Sequence, residues 1–96
     1  MNNTELNSHL LRLRDLTIRY RLTEKENISF DIGIVEIAVN LVEMYLLENR
    51  RIVKNEKIWF NACYNLDYAF SSDSEWGEIP NLYCKLVDEM EARNFK

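Results

Sequence analysis

Ninety-six residues, 47% of them hydrophobic, suffice for one domain with its own core and are too apolar for a disordered chain. Two glycines and one proline are too few to punctuate the turns of a many-stranded β fold, so the chain reads as helices joined by a few loops. A formal net charge of −4 sets it apart from the basic proteins that grip nucleic-acid backbones.

The first helix is expected over about residues 4–21. Leu6, Leu10, Leu13, Leu16 and Tyr20 recur at steps of three and four and share one buried face. Thr4 is placed to cap the first turn. Arg12 and Arg19 are seven apart, as are Arg14 and Arg21, so each pair lies on one side of the helix. The plain reading is a solvated face whose late arginines complement the helix dipole. The sharper reading is an anion-binding row, but no glycine-rich or aromatic-interleaved motif accompanies it.

TEKENIS, residues 23–29, connects to a second helix over about 30–49, capped by Ser29 or Asp31. That helix is apolar almost all round, with Gly33, Glu36, Asn40 and Glu43 as its one polar line. Such a pattern places it in the middle of a bundle. Its many Val and Ile residues also suit a strand; length and the three-to-four spacing decide for a helix. Glu36 and Glu43 stand roughly 10 Å apart along the axis, too far to share a proton, and read as a solvated stripe.

Asn55 is the expected cap of a third helix over about 56–70, which contains IWFNACYNLDYAF. At about 100° per residue, Trp59, Ala62, Cys63, Leu66 and Phe70 form a stripe that seals a core. Phe60, Tyr64 and Tyr68 form a second stripe, with Asp67 beside it. One reading buries both stripes against two neighbours, with tyrosine hydroxyls reaching water. The other exposes Tyr64 and Tyr68 as an aromatic patch that continues into the loop SSDSEWGEIPN, residues 71–81, with Asp73, Glu75, Trp76 and Glu78. Trp76 is then a plug over the bundle end or a contact hot spot. Ser72 to Glu75 fits a capping box, Gly77 ends that turn, and Pro80 suits the first turn of a last helix over about 80–94. Leu82, Leu86, Val87 and Met90 form its inner face. The expected fold is a single all-α domain, a four-helix antiparallel bundle.

Residues that carry chemistry are scarce. His9 is the single histidine. Cys63 and Cys84 lack zinc-ligand spacing and read as small buried thiols of a reducing cytosol, with a disulfide between neighbouring helices as the alternative. Phosphate-loop, dinucleotide and nucleophile-elbow patterns are missing, so no enzyme, cofactor or metal site is expected. The N-terminus, MNNTELNSH, is polar and carries no apolar leader run. The longest apolar segment, Ile32 to Leu47, contains Glu36, Asn40 and Glu43 and is too short for a bilayer. The expected location is the cytoplasm, with no membrane partner.

Charge is unevenly placed. Residues 1–25 hold five basic against three acidic groups, whereas residues 67–91 hold seven acidic groups against Lys85. An acidic second half repels nucleic acid and attracts basic partners. Residues 55–95, NEKIWFNACYNLDYAF through LVDEMEARNF, run as an apolar helix, an acidic loop and an amphipathic helix. In this the chain resembles the small acidic helical immunity proteins of bacteria, of the colicin-D-like and contact-dependent-inhibition kind. The resemblance implies a protein that binds a toxin domain and blocks its active site. A phage-encoded anti-defence inhibitor, anti-CRISPR-like, would share this composition.

The expectation is therefore an inhibitor that occludes a basic groove. Asp67, Asp73, Glu75 and Glu78 would pair with Lys or Arg of the partner, and Tyr64, Tyr68 and Trp76 would anchor it. Direct DNA or RNA binding is not expected. Two alternatives stand beside this: a nucleotide-binding helical oligomer using Arg12, Arg14, Arg19 and Arg21, and a homodimer packed through Phe60, Tyr64 and Tyr68.

Overall fold

The computed structural model describes residues 1–61, 66, 70 and 75–94, the last by its backbone alone. Its elements are α1 (Asn3–Thr23), α2 (Asp31–Glu48), a 3-10 helix η1 (Lys54–Phe60) and α3 (Glu78–Asn94). The fold is all-α, with no strand among the described residues.

α1 begins one residue ahead of Thr4. Asn2 is its cap, and the Asn2 carboxamide accepts the Glu5 N–H at 2.8 Å. Asn outranks Thr at this position. Asn2→Ala is therefore expected to cost about 1 kcal/mol in urea unfolding, and Thr4→Ala much less. If the two cost the same, Asn2 is not the working cap.

At the start of α2, Phe30 already has helical dihedrals (φ −56, ψ −33), and the Ser29 hydroxyl accepts the Asp31 N–H at 3.2 Å. α2 ends at Asn49, which takes a left-handed conformation at φ 53. The Asn49 and Arg50 N–H groups both donate to the Met44 carbonyl. Asn tolerates this conformation better than other non-glycine residues.

The third segment corrects an expectation. It starts as a 3-10 helix at Lys54, and Asn55 is not its cap. Glu56 folds back instead. Its carboxylate accepts the Val53 N–H at 3.1 Å and both Arg50 guanidinium nitrogens at 3.0 and 2.9 Å. The expected continuation to residue 70 falls mainly on residues 62–65 and 67–69, outside the described residues. The Ser72–Glu75 capping box likewise falls outside them, Glu75 excepted. α3 starts two residues before Pro80, which keeps the proline in the first turn, where its missing N–H leaves no bond unmade.

Ion pairs fix the directions of the elements. Arg14 pairs with Glu43 and Arg21 with Glu36, so α1 and α2 run opposite ways. Arg12 pairs with Glu78, and the Met1 amino group with Glu89, so α1 and α3 do too. α1 thus lies between α2 and α3. All five of its expected core residues are buried. α2 adds Ile32, Val35, Ala38, Val39, Leu41 and Val42; α3 adds Ile79, Leu82, Tyr83, Leu86, Val87 and Met90. Ile52, Phe60, Leu66 and Phe70 complete one continuous core.

The central helix is therefore α1, not α2 as its apolar composition implies. The principal neighbours of α2 are α1 and η1. Its far face is open, and Ile37, Met44 and Leu47 are exposed on it.

Candidate functional site

The expected acidic and aromatic site is only partly assembled by the described residues. Tyr64, Asp67, Tyr68 and Asp73 lie outside them. Trp76 is half-buried and meets Tyr20 edge-on, ring centroids 5.4 Å apart. Tyr20 also meets Phe70 edge-on at 5.1 Å. The Trp76 indole N–H donates to Glu24 at 3.1 Å. This geometry makes Trp76 a plug against the core, because its ring packs on Tyr20 and its indole N–H is held by Glu24. Glu78 accepts two hydrogen bonds from Arg12, at 3.2 and 2.9 Å. Glu75 is exposed.

Phe60 requires a correction. It is 1% exposed and belongs to the core, so it is not available to a dimer stripe. Trp59, expected in the core, is half-buried, and the buried Tyr83 hydroxyl donates to its backbone carbonyl. The reason is geometric. A projection at the α-helical angle does not hold in a 3-10 helix, whose three residues per turn rotate the side chains differently.

The four arginines of α1 divide as their spacing indicates, and each meets carboxylates. On the side toward α2, Arg21 donates to Glu36 at 2.5 and 2.6 Å. Arg14 pairs with Glu43 there and donates to Asn40 Oδ1 at 3.1 Å. On the other side, Arg12 holds Glu78, and Arg19 reaches Asp15 at 3.1 Å. Glu36 and Glu43 are thus the α2 half of a clamp rather than a solvated stripe. Arg50 pairs with Glu56 and Arg93 with Glu89, so six of the chain's seven arginines are engaged within it.

These pairs set a pH dependence. The carboxyls of Glu56 and Glu78 are held below the usual range, chiefly by hydrogen bonds from Arg50 and Arg12. Glu89 is held low chiefly by the N-terminal ammonium, with Arg93 assisting. A carboxyl whose native value is depressed adds stability above its unfolded value, about 4.3 for Glu, and that contribution is lost as pH falls through the lower native value. Urea-unfolding free energy is expected to hold steady down to about pH 5 and then to decline. Arg50→Gln should lower the plateau and shallow the decline. A profile equally steep in that variant would dissociate Glu56 from the effect.

Outside the ion pairs, the exposed carboxylates among the described residues are Glu5, Glu26, Glu48, Glu75, Asp88 and Glu91. Three of them sit on α3 or just before it, where Lys85 is the exposed base. Arg50, Arg51, Lys54 and Lys57 gather instead around η1.

The structure also presents a second, apolar surface. Among the described residues, no strongly exposed large apolar side chain belongs to α3. Leu11, Ile18 and Leu22 project from α1; Ile37, Met44 and Leu47 project from α2, with Phe30 at its entry. Phe30 is 88% and Leu47 73% exposed, and it is the grouping of such side chains, not any single one, that sets this surface apart. Two hollows accompany them. One, of about 480 Å³, is lined by Arg14, Asn40, Glu43, Met44, Leu47 and Glu48. The other, of about 330 Å³, lies among Phe30, Gly33, Ile34, Ile37 and Trp59. The available signal was the all-round apolarity of α2, which marks either full burial or two separate apolar faces.

Cys84 is a free, half-buried thiol, and Cys63 lies outside the described residues. Among the described residues, no three His, Cys, Asp or Glu side chains are gathered as a metal site, and no helix is long and apolar enough to cross a membrane. No family model, curated protein or solved structure matches the chain.

Proposed function

We propose that this is a non-catalytic protein-binding module whose acidic α3 side receives a basic partner, in the manner of a small immunity or antitoxin-like inhibitor. The observation that carries the reading is the pairing of the arginines. Six of seven are engaged by the chain's own carboxylates, while Glu75, Asp88 and Glu91, on α3 or just before it, are exposed and outside the ion pairs. A phosphate would have to displace those carboxylates, so a nucleotide on the α1 arginines is the weaker reading. Free carboxylates on a polar face steer a cationic surface and contribute mainly to association rate. An anti-defence inhibitor would use the same face on a different basic protein.

The test is capture from a source lysate containing the products of neighbouring genes, at low and at high salt, with mass spectrometry of the bound fraction. A basic nuclease or nucleic-acid-binding protein retained in stoichiometric amount and released by salt is the expected result. Its retention should fall in the triple variant Glu75→Gln, Asp88→Asn, Glu91→Gln. Retention of nucleic acid alone, or full retention by the triple variant, would overturn the assignment.

A further inference from the structure

We infer that the α1–α2 face docks a second copy of this chain, two-fold and antiparallel, about Asn40. This rests on the exposed apolar residues and not on the acidic side above.

The outward residues of α2 follow a heptad. Phe30, Ile37 and Met44 are seven apart, and Gly33, Asn40 and Leu47 follow each of them by three. These are the two seam positions of a helix pair. In a compact single chain such a seam is covered; here it faces out.

The seam is complementary to its own reverse. Its most exposed knobs, Phe30 and Leu47, are near opposite ends, and a hollow lies beside each. Reversing a second copy about Asn40 sets its Leu47 level with Gly33, where a Cβ would meet nothing within 4 Å. Its Phe30 falls level with Arg50, just past the Leu47–Glu48 edge of the other hollow, and its Met44 falls beside Ile37. Asn40 meets Asn40, and its amide nitrogen donates across the axis while Oδ1 holds Arg14. A polar seam residue of this kind fixes register.

α1 shares the same centre. The pairs Arg14–Glu43 and Arg21–Glu36 place Ile18 level with Val39 and Asn40. Leu11 and Leu22 lie on either side of that level, as Leu47 and Gly33 do in α2. One axis therefore serves both helices, and Leu11 comes opposite the second copy's Leu22.

Charge and area agree. The two ion pairs neutralise the centre of the face, so two copies of an acidic protein do not repel one another there. The seven exposed apolar side chains of α1, α2 and the α2 entry present on the order of 700 Å², close to the roughly 800 Å² per partner of a standard specific interface.

The test is sedimentation equilibrium over a wide concentration range. The wild type is expected to reach a dimer, and Leu47→Glu to raise its Kd about a hundredfold or more. Gly33→Leu gives the more pointed result. It fits the monomer, since the site is open and leucine favours a helix over glycine, yet it fills the hollow and should weaken the dimer about tenfold. Circular dichroism verifies that both variants remain helical. A wild type that stays monomeric at every concentration would overturn the inference. So would a dimer unaffected by both substitutions, which would place the contact elsewhere.

Discussion

Replacing Leu13 with alanine is expected to cost about 3–5 kcal/mol of folding stability. Leu13 is fully buried, on the helix that lies between α2 and α3. A cavity there is walled on both sides by other elements, so little can collapse into it. Domains of this size hold only about 5–15 kcal/mol in total. At about 4–8 °C per kcal/mol, the melting temperature should fall by more than 12 °C. Leu11→Ala supplies the control from the same helix. Leu11 is 57% exposed, and its loss should stay within about 0.5 kcal/mol at concentrations where the chain is monomeric. Similar losses at the two positions would refute the assignment of α1 as the central helix.

The second large effect is expected at Tyr20. Its ring meets both Phe70 and Trp76, and its hydroxyl accepts the Ser29 N–H at 2.7 Å and donates to the Asn27 carbonyl at 3.4 Å. Tyr20→Ala removes all of this and should cost about 3–5 kcal/mol. Tyr20→Phe keeps the ring and leaves the Ser29 N–H without its partner, a loss of about 1–2 kcal/mol. The two losses separate spectroscopically. In a Trp59→Phe background, emission from Trp76 should shift to the red in Tyr20→Ala and stay in place in Tyr20→Phe. An unshifted spectrum in Tyr20→Ala would show that Trp76 is held by other contacts.

Much of the fold was legible because burial leaves a period. The Leu6-to-Tyr20 stripe and the Leu82-to-Met90 stripe are each buried in full. α2 was legible as a helix but not in its position. Its composition is the same whether its second apolar face meets a neighbour in the chain or lies open. η1 departs from the α-helical projection because its three residues per turn move Phe60 into the core and Trp59 toward its edge. The site was less legible still. Spacing correctly divided the arginines into two sides, but their carboxylates lie 15 to 66 residues away in sequence, except for Asp15. Long-range ion pairs leave no local trace. Trp76 in a polar loop carries the same local pattern as a plug and as a contact residue, and only its pairing with Tyr20 and Glu24 separates the two.

The order of synthesis gives the central position of α1 a further cost. α1 is made before α3, which covers one of its sides. Until α3 is made, the inner leucines of α1 lack one of the walls that bury them. Chains of this size normally avoid long exposure by folding quickly once complete. A stalled or prematurely ended chain lacking α3 would keep that apolar surface open and become a substrate for chaperones and proteases. Cellular abundance should therefore be more sensitive to truncation before Glu78 than to any single substitution on the surface of α3.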